Sequence, residues 1–406
     1  DGRIVAGGSF SGISGAASQN LARFNPDSTA DANFAPNLDG PVYTVAELPG
    51  GGESIPVQAS SFAWLESSGQ LRSVNLPQGM GFGFANVFLE QPDGKVLVGG
   101  EMTVGGTSYG LVRLNADGSL DSTFQLKMKP GVQALALQSD GKIIVGGNFE
   151  LGTDATPQTP EWRNLVRLNA DGTVDTAFKQ NVVGTVMSLV VQSDGKIIAG
   201  GQITAAQNAP NSTTTTTRGY IARFNSDGSL DTGYDPRANS AVTRMLLLAD
   251  GTLLAAGEFT AFRPNGANDA TNRRGIARIK ADGTIDALDL NPDGLVVTMV
   301  RDPQGRILVG GSFIRIAGNE SFYIARFSPD FTHDTSFRPN PNAAVTAIGF
   351  QGDKIVIGGS FTALQPGATT LDPTLATPRN YSARLNDDGT IDASYNPNLN
   401  GNVLRL

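Results

Sequence analysis

Short apolar runs of four to eight residues recur along the whole chain, and Gly, Asn and Asp residues separate them. One set begins with GVQALALQS at Gly131, passes through Asp140-Gly141 to KIIVGGNF, and ends with NLVRLN, Ala-Asp-Gly and TVDTAF. Runs of this length without helical periodicity are typical of β-strands, and Asp-Gly is typical of a hairpin turn. The pattern predicts four antiparallel strands in a unit of about 50 residues, the size of a β-propeller blade.

The second strand of this unit marks its repetition, because it usually carries a Gly-Gly pair. The copy around Ala59, SIPVQASSF, departs most from the others. A Gly-Gly pair inside a strand predicts a β-bulge or the close approach of another backbone segment. Taking the first small residue of the pair as the marker gives eight copies, at Gly7, Ala59, Gly99, Gly146, Gly200, Ala256, Gly310 and Gly358.

The two ends of the chain complement each other. The chain starts at DGRIVAGG, a second strand without a first, and ends in GNVLRL, which matches the beginning of first strands elsewhere. We expect the C-terminal strand to pair in the N-terminal blade, because closure hides two sheet edges. The sequence therefore predicts an all-β fold, a single eight-bladed β-propeller with four antiparallel strands per blade; seven blades would require that the copy at Ala59 forms none. The predicted blades are residues 1–39 with 401–406, 40–82, 83–130, 131–183, 184–239, 240–293, 294–341 and 342–400.

The repeated phrases SDGKIIVGGNF and LVRLNADGTVDTAF resemble the delta-60 repeat, a β-propeller repeat of large secreted and surface-associated bacterial proteins. The resemblance covers nearly the whole chain and departs at Glu53 to Leu76, where neither phrase is well kept. It implies a propeller fold and an extracellular or cell-surface setting. It implies no activity and no functional residues.

Charge and composition restrict the partners. The net charge is −8 and no block of Lys and Arg occurs, so we expect neither nucleic acid nor an anionic membrane as the main partner. No apolar run approaches the roughly 20 residues that span a bilayer, so membrane insertion is not expected. The chain has no Cys and a single His, His333, which removes thiolate sites and most metal-ligating or catalytic imidazole arrangements. Oligomeric state is left open.

A pair of Asp residues four positions apart recurs in seven of the eight copies. NADGSLD keeps the last part of a calcium loop, in which alternate positions supply oxygen ligands, so Ca²⁺ is one candidate cofactor. The position of the first calcium ligand, however, carries an Arg such as Arg113, which favours an Arg–Asp ion pair and an Asp-Gly turn without any cofactor. The candidate metal ligands are Asp117, Asp121, Asp171, Asp175, Asp227, Asp231, Asp388 and Asp392.

Four long insertions follow the second strand of their copies, at residues 151–163, 205–220, 261–275 and 362–380. Alternating strand direction places them at one end of the blades and the Asp-Gly turns at the other, and insertions of repeat proteins often form the binding face. The alternative is that the Tyr residues there pack between blades and the Arg residues are solvated. The candidate partner-binding residues are Trp162, Arg163, Arg218, Tyr220, Arg273, Arg274, Tyr323, Arg379 and Tyr381.

These patterns favour a non-catalytic extracellular or cell-surface propeller, an interaction or structural module in adhesion, a matrix or a surface appendage. Its expected partner is a protein or a polysaccharide at the cell surface, bound through the long-loop face. The alternative is a polysaccharide-active hydrolase or lyase that uses acidic residues near the central channel.

Overall fold

The computed structural model describes residues 3–13, 16–17, 19–27, 29–31, 34, 41–42, 46–48, 52–57, 61–65, 71–72, 81–104, 106–124, 126, 128–129, 131–152, 162–368 and 372–406. The chain divides into two compact units, one formed by residues 1–72 with 290–406 and the other by residues 73–289. The described residues are almost entirely strands and turns. Their two helices are single 3₁₀ turns, and no helix among them is long and apolar enough to cross a membrane.

The secondary-structure elements, in chain order, are β1 (Ile4–Ser9), β2 (Gly12–Ile13), β3 (Ala16–Ala17), β4 (Leu21–Phe24), β5 (Ala46–Leu48), β6 (Gly52–Val57), β7 (Ser61–Leu65), β8 (Leu71–Arg72), β9 (Gly81–Glu90), β10 (Val96–Val104), β11 (Thr107–Leu114), β12 (Val132–Leu137), β13 (Ile143–Leu151), β14 (Trp162–Leu168), β15 (Val182–Val183), β16 (Val186–Val191), β17 (Ile197–Gly201), β18 (Ala205–Gln207), β19 (Thr215–Thr217), β20 (Ile221–Phe224), β21 (Val242–Leu247), β22 (Leu253–Gly257), β23 (Ala261–Phe262), η1 (Pro264–Gly266), β24 (Thr271–Asn272), β25 (Ile276–Ile279), β26 (Val296–Arg301), β27 (Ile307–Gly311), β28 (Arg315–Ile316), β29 (Asn319–Glu320), β30 (Ile324–Phe327), β31 (Val345–Gln351), β32 (Lys354–Gly359), β33 (Ala363–Leu364), η2 (Pro373–Leu375), β34 (Thr377–Pro378), β35 (Ser382–Leu385) and β36 (Asn402–Arg405).

Three-stranded antiparallel sheets recur in both units. In the unit of residues 73–289 their strand orders are β11-β10-β9, β12-β13-β14, β16-β17-β20 and β21-β22-β25. In the other unit they are β36-β1-β4, β26-β27-β30 and β31-β32-β35, together with a four-stranded sheet, β5-β6-β7-β8, where the sequence repeat is degenerate. The marker Ala59 itself lies outside the described residues.

The pairing of β36 with β1 confirms the expected role of the C-terminal strand. Gly7 pairs with Arg405, Gly8 with Val403 and Ser9 with Asn402, all antiparallel. Residues from the two ends of the sequence thus share one sheet, and Val403 and Ile4 belong to the same buried cluster.

The predicted fourth strand is not confirmed as a strand. After the third strand the chain turns through Asp-Gly and forms one isolated bridge back to it, as between Leu168 and Val174. The side chain of Asp175 explains the early end, because its oxygens are committed to the guanidinium of Arg167 and to the backbone N–H of Ala177. The chain is therefore held by side-chain contacts where a further ladder was predicted.

Consecutive sheets bury apolar faces against each other. One cluster joins Ile144 and Leu165 of the sheet β12-β13-β14 to Val186, Ile197 and Phe224 of the sheet β16-β17-β20. Another joins Leu308 and Ile324 to residues of the sheet β31-β32-β35. Near-continuous apolar second strands, such as IIVGG and ILVGG, are what a sheet covered on both faces requires.

The Gly-Gly pairs serve both purposes that the sequence suggested. Opposite them the first strand bulges; Val186 pairs with Gly201 and Ser188 with Gly200, which leaves Met187 as the extra residue. A Cβ on Gly201 would lie 2.1 Å from the Thr185 carbonyl oxygen, and one on Gly200 would lie 3.1 Å from Cγ1 of Val242 in the next sheet. The second Gly permits the bulge, and the first permits the sheets to approach.

We expect Gly201→Ala to destabilise the protein by about 2 kcal/mol or more, because the added methyl group must displace a backbone carbonyl. Gly233→Ala is the matched control, since its Cβ would have no neighbour closer than 3.5 Å. Chemical denaturation of the two variants measures the difference. Equal free energies of unfolding would contradict this account of the Gly-Gly pair.

Candidate functional site

The second Asp of the repeated pair forms a buried ion pair with the recurring Arg. Nε of Arg113 donates to Oδ2 of Asp121 at 2.9 Å, and Nζ of Lys95 donates to the same oxygen at 2.8 Å. Arg113 and Asp121 are both buried, at 3% and 4% exposure. The same Arg–Asp pair occurs as Arg23–Asp31, Arg167–Asp175, Arg223–Asp231, Arg326–Asp334 and Arg384–Asp392.

The Arg of five of these six pairs also reaches the turn of the next sheet. Nη1 of Arg113 donates to the Ala170 carbonyl oxygen at 2.7 Å, and Nη1 of Arg167 donates to that of Ser226 at 2.6 Å. An aromatic ring covers the guanidinium, with Cζ of Arg167 4.4 Å from the centre of the Phe178 ring. We call this arrangement of Arg, Asp, ring and neighbouring carbonyl the arginine clamp; it ties one sheet to the turn of the next.

Both oxygens of the second Asp are used within the clamp. Oδ2 of Asp175 accepts from Arg167 and Lys142, and Oδ1 accepts from the backbone N–H of Ala177. Burial works to raise the pKa of Asp175, but the hydrogen bond from Lys142 and the charge of Arg167 outweigh it and hold the pKa below its usual range.

The first Asp of each pair shapes the turn. Oδ1 of Asp171 accepts from the backbone N–H of Thr173 at 2.8 Å and from its hydroxyl at 2.7 Å. Gly172 follows with φ of 95°, a backbone conformation that favours Gly. The corresponding bond to the residue two positions on is made by Asp27, Asp117, Asp227, Asp282, Asp330 and Asp388.

These contacts bear on the calcium alternative for Asp117, Asp121, Asp171, Asp175, Asp227, Asp231, Asp388 and Asp392. The second Asp of each pair is neutralised by a cation of the protein, and the first accepts hydrogen bonds within its own turn. Among the residues that the structure describes, no group of three His, Cys, Asp or Glu side chains is placed to hold a metal ion. The arrangement favours the structural interpretation of the Asp pairs.

One clamp departs from the others. Asp289 stands three positions after the second Asp, where the other copies carry Phe or Tyr. Nη2 of Arg278 donates to Oδ2 of Asp250 at 2.5 Å, and Nη1 stays 4.0 Å from Asp286. The aromatic residue is therefore present in those copies in which the guanidinium donates to the second Asp.

We expect Asp175→Asn to cost about 3 kcal/mol of stability at pH 7, because it leaves the buried charge of Arg167 without its carboxylate. Because folding lowers the pKa of Asp175, its contribution is complete above the usual value of 3.8 and is lost as the pH falls through the folded value. Denaturation of the wild type and the variant at pH 7 and pH 3 measures this change. Asp140→Asn, in an exposed turn of the same sheet, is the control; a difference between wild type and Asp175→Asn that is unchanged at pH 3 would contradict the assignment.

The candidate partner-binding arginines fall into two groups. Arg218 and Arg379 are buried, and each donates from Nη1 to the carbonyl of the preceding residue. Arg273 makes the same bond and also donates to the Asp286 carbonyl oxygen. The sequence analysis gave solvated Arg side chains as the alternative to binding. That alternative is wrong for Arg218 and Arg379, because both are buried. Of the whole set, Arg163 and Arg274 are the exposed ones.

The aromatic candidates are partly or fully buried. Tyr220, Tyr323 and Tyr381 start the third strand with φ of 65°, 66° and 65°, the left-handed conformation in which Asn20 and Asn164 hold the same position in other copies. Each packs against an apolar cluster. Trp162 is only 4% exposed and lies under Nζ of Lys179, 5.2 Å from its ring centre, so its face is not open for stacking on a sugar.

The long insertions are hairpins that continue the second and third strands. Strand β18 pairs with β19 and also with β15, and β23-β24, β28-β29 and β33-β34 are shorter versions. A side chain that the sequence analysis missed fixes their bends: Oδ1 of Asn239 accepts from the N–H of Thr260 and of Ala261. The sequence signal for this contact is an Asn or Asp just before the first strand of a copy. The residues equivalent to Asn239 in other copies are Asp293, Asn342 and Asn400.

A cleft of about 350 Å³ lies at the base of one such hairpin, formed by β13 and β14. Nζ of Lys129 lies 2.6 Å from Oε2 of Glu150, and Nε of Arg163 lies 3.8 Å from Oε1. The side chains of Lys129 and Arg163 are 70% and 55% exposed. We call it the Arg163 cleft; its lining residues are Lys129, Asn148, Phe149, Glu150, Arg163 and Asn164.

The repeat that carries these clamps is similar to a known family model. The model, described as a domain of unknown function (DUF5122) beta-propeller, matches residues 1–34, 91–124, 138–178, 192–234, 248–288 and 303–337. These segments make up more than half of the chain. The chain belongs to the DUF5122 beta-propeller family.

Several solved structures are similar to the chain at low sequence identity. The computationally designed Ika8 protein is 13% identical with a TM-score of 0.50, over 88% of this chain and 90% of that one. The C-terminal WD40 domain of Sif2 is 11% identical with a TM-score of 0.49, over 88% and 90% of the two chains. A streptogramin B lyase is 13% identical with a TM-score of 0.41, over 78% and 89%. The first likeness is one of fold alone, and the two lower scores carry no argument here. No curated protein matches the chain.

Most of the DUF5122 segments end at the residue that covers the clamp. The segments 91–124, 138–178 and 192–234 end at Phe124, Phe178 and Tyr234. The sheet β31-β32-β35 lies outside the matched segments, yet its Arg384 pairs with Asp392 and lies over Tyr395. The clamp therefore also occurs in a copy that the DUF5122 model does not match.

The DUF5122 repeat around β30 carries His333 where other copies have Leu, Val or Ile. Its Nε2 lies 3.1 Å from Oγ of Ser321, and its Nδ1 is buried without a hydrogen-bond partner in the described structure. Burial lowers the pKa of His333, and the charge of Asp334 opposes the shift only in part. The folded protein thus holds this imidazole neutral to lower pH than the unfolded chain does.

We expect the stability of this DUF5122 protein to fall as the pH drops below about 6.5, the value at which an unfolded His begins to protonate. His333 is the single His, so His333→Leu should remove most of the change between pH 7.5 and pH 5. Leu is the residue at this position in other copies, for example Leu230. Thermal melts at both pH values measure the effect, and an identical pH dependence in the variant would contradict it.

Proposed function

We propose that this protein is a non-catalytic interaction or structural module of the extracellular space or cell surface. In this proposal the eight sheets are the blades of one ring, the repeat is of the delta-60 type, and a protein or polysaccharide partner binds at the hairpin ends. The supporting observation is an asymmetry between the two ends of the sheets. The Asp-Gly turns and clamps are nearly uniform, whereas the hairpins at the opposite ends differ in length, sequence and exposure.

The asymmetry favours binding because recognition needs variable residues on a rigid scaffold. At the clamp end of the sheets, the charged groups form ion pairs with one another, as Arg167 does with Asp175. On the hairpin side, charged residues such as Arg163 and Arg274 remain exposed. The surface-bound or secreted setting is proposed from the resemblance of the repeat to the delta-60 repeat and from the net negative charge of the chain.

The proposal includes the absence of catalysis. The single His of the chain, His333, is half-buried and contacts the hydroxyl of Ser321. That hydroxyl also donates a hydrogen bond to the Glu320 carbonyl oxygen. The acidic pairs that suited a hydrolase or lyase have their oxygens committed to the clamps. Turnover of a glycan that is lost in a single Asp→Asn variant would overturn this part of the proposal.

The hairpin of β18 and β19 offers a test that spares the scaffold. Ala206 is fully buried, so the variant keeps both strands and replaces residues 209–213 with Gly-Gly. We expect an unchanged melting temperature and binding to intact cells that is weaker by about fivefold or more, since loops of this kind supply part of a contact surface.

Asp194→Asn, in the tight turn that joins β16 to β17, is the matched control. Its side chain only accepts from the N–H of Lys196, which Asn also does. Fluorescence measurement of bound, labelled protein compares the two variants with the wild type. Equal binding by all three would remove the 209–213 hairpin from the partner surface.

A further inference from the structure

The Arg163 cleft holds an incompletely used guanidinium. Its Nε is 3.8 Å from Glu150, beyond hydrogen-bond distance, and its Nη atoms have no hydrogen-bond partner among the described residues. The arginines of the clamps differ, because five of the six donate both to a carboxylate and to a carbonyl oxygen. Within the described part of the chain, no group occupies the planar fork of Arg163, the geometry that binds a carboxylate through two parallel hydrogen bonds.

The described lining residues of the cleft carry one positive charge in excess. Glu150 neutralises one of the two cations; its contact with Lys129 is a hydrogen bond of 2.6 Å, and its distance to Arg163 is longer. In a protein with a net charge of −8 this is a local reversal of sign. An anionic group approaching the cleft meets two exposed cations, Arg163 and Lys129, while the charge of Glu150 opposes a second anionic group.

The rest of the described lining consists of two amides, Asn148 and Asn164, and the buried Phe149. Asn164 is held at both ends of its amide, since Oδ1 accepts from the N–H of Phe149 and Nδ2 donates to the Val182 carbonyl oxygen. Asn148 is exposed beside it. The backbone N–H of Arg163 donates to Oδ1 of Asn181, which fixes the chain from which the guanidinium projects. Amides around one cation suit the hydroxyl groups and single carboxylate of an acidic sugar, and the cleft of about 350 Å³ lies at the small end of ligand sites.

We propose that the Arg163 cleft binds a carboxylate-bearing sugar unit of an acidic polysaccharide, with Arg163 as the bidentate ligand of the carboxylate and Lys129 as the second cation. The inference deepens the proposed function and rests on it, because it names the partner class at one hairpin. An uronic acid unit satisfies the site with one carboxylate and neighbouring hydroxyl groups. An acidic peptide would bring several carboxylates toward Glu150.

The probe is a short oligogalacturonate, titrated calorimetrically against the 406-residue chain at low salt. Arg163→Ala should weaken binding at least tenfold, as expected for the loss of a charged hydrogen-bonded partner. Glu150→Gln should strengthen it severalfold, because the opposing charge is gone. Arg315→Ala is the matched control: Arg315 is an exposed arginine of another hairpin, paired with Glu320 at 2.7 Å, and its loss should leave binding unchanged.

Three outcomes would overturn the assignment. Equal binding of the fully methyl-esterified oligomer would show that the carboxylate is not recognised, and tighter binding of oligoglutamate would point to an acidic protein. A tenfold loss in Arg315→Ala would show attraction by general charge alone. A fourth outcome separates the two levels: if the wild type binds cells but not the oligomer, the cleft assignment fails while the interaction role stands.

Discussion

Arg167 is 6% exposed, and its guanidinium donates to Asp175 in its own sheet and to the Ser226 carbonyl oxygen of the next, with the Phe178 ring across its face. A buried charge is costly unless it is both paired and hydrogen-bonded, so this arrangement holds only when every partner is present. That requirement accounts for the repeat itself. The fixed distance from Arg to Asp, the turn between them and the aromatic residue three positions later are parts of one interaction.

The Gly-Gly pair serves the same packing at another point. Clamped sheets approach so closely that a Cβ on Gly200 would lie 2.9 Å from the sulfur of Met245 in the following sheet. The bulge opposite Gly201 then sends the first strand into its bend. Core packing and the clamp together leave little room for variation within the sheets. Variation is concentrated in the hairpins beyond the bulge, which project from the packed layers and contact few of them.

This division has a consequence for recognition. The recurring Asp residues of the repeat form the turns and the clamps of the scaffold. Their abundance therefore does not indicate a ligand site. The residues with unused capacity are few and lie at the hairpins, where Arg163 is the clearest case. Its neighbour in sequence, Trp162, is a core residue covered by Lys179. Two adjacent candidates thus have opposite roles, because successive residues of a strand point to opposite faces.

Strand positions, the Asp-Gly turns and the pairing of β36 with β1 could be predicted from the sequence, because each depends on local turn chemistry and on a repeated apolar pattern. The Arg–Asp pairing was also predictable, since both residues recur at one spacing. The burial of Arg218 and Arg379, the left-handed Tyr residues and the bend-fixing role of Asn239 were not. Those features depend on which neighbour a side chain meets, and the repeat pattern indicates which strands pair but not which side chains meet between segments.

The sequence by itself determined the all-β repeat, because hydrophobic period, Gly placement and Asx turns act over a few residues. Tertiary structure alone decided that the fourth strand shrinks to a bridge, since the oxygens of Asp175 are bound by Arg167, Lys142 and the backbone of Ala177. The tertiary structure also decided which charged side chains are paired within the fold and which remain exposed. Arg167 and Arg163 are four residues apart in one chain, yet packing buries the first between two sheets and leaves the second at the mouth of a cleft.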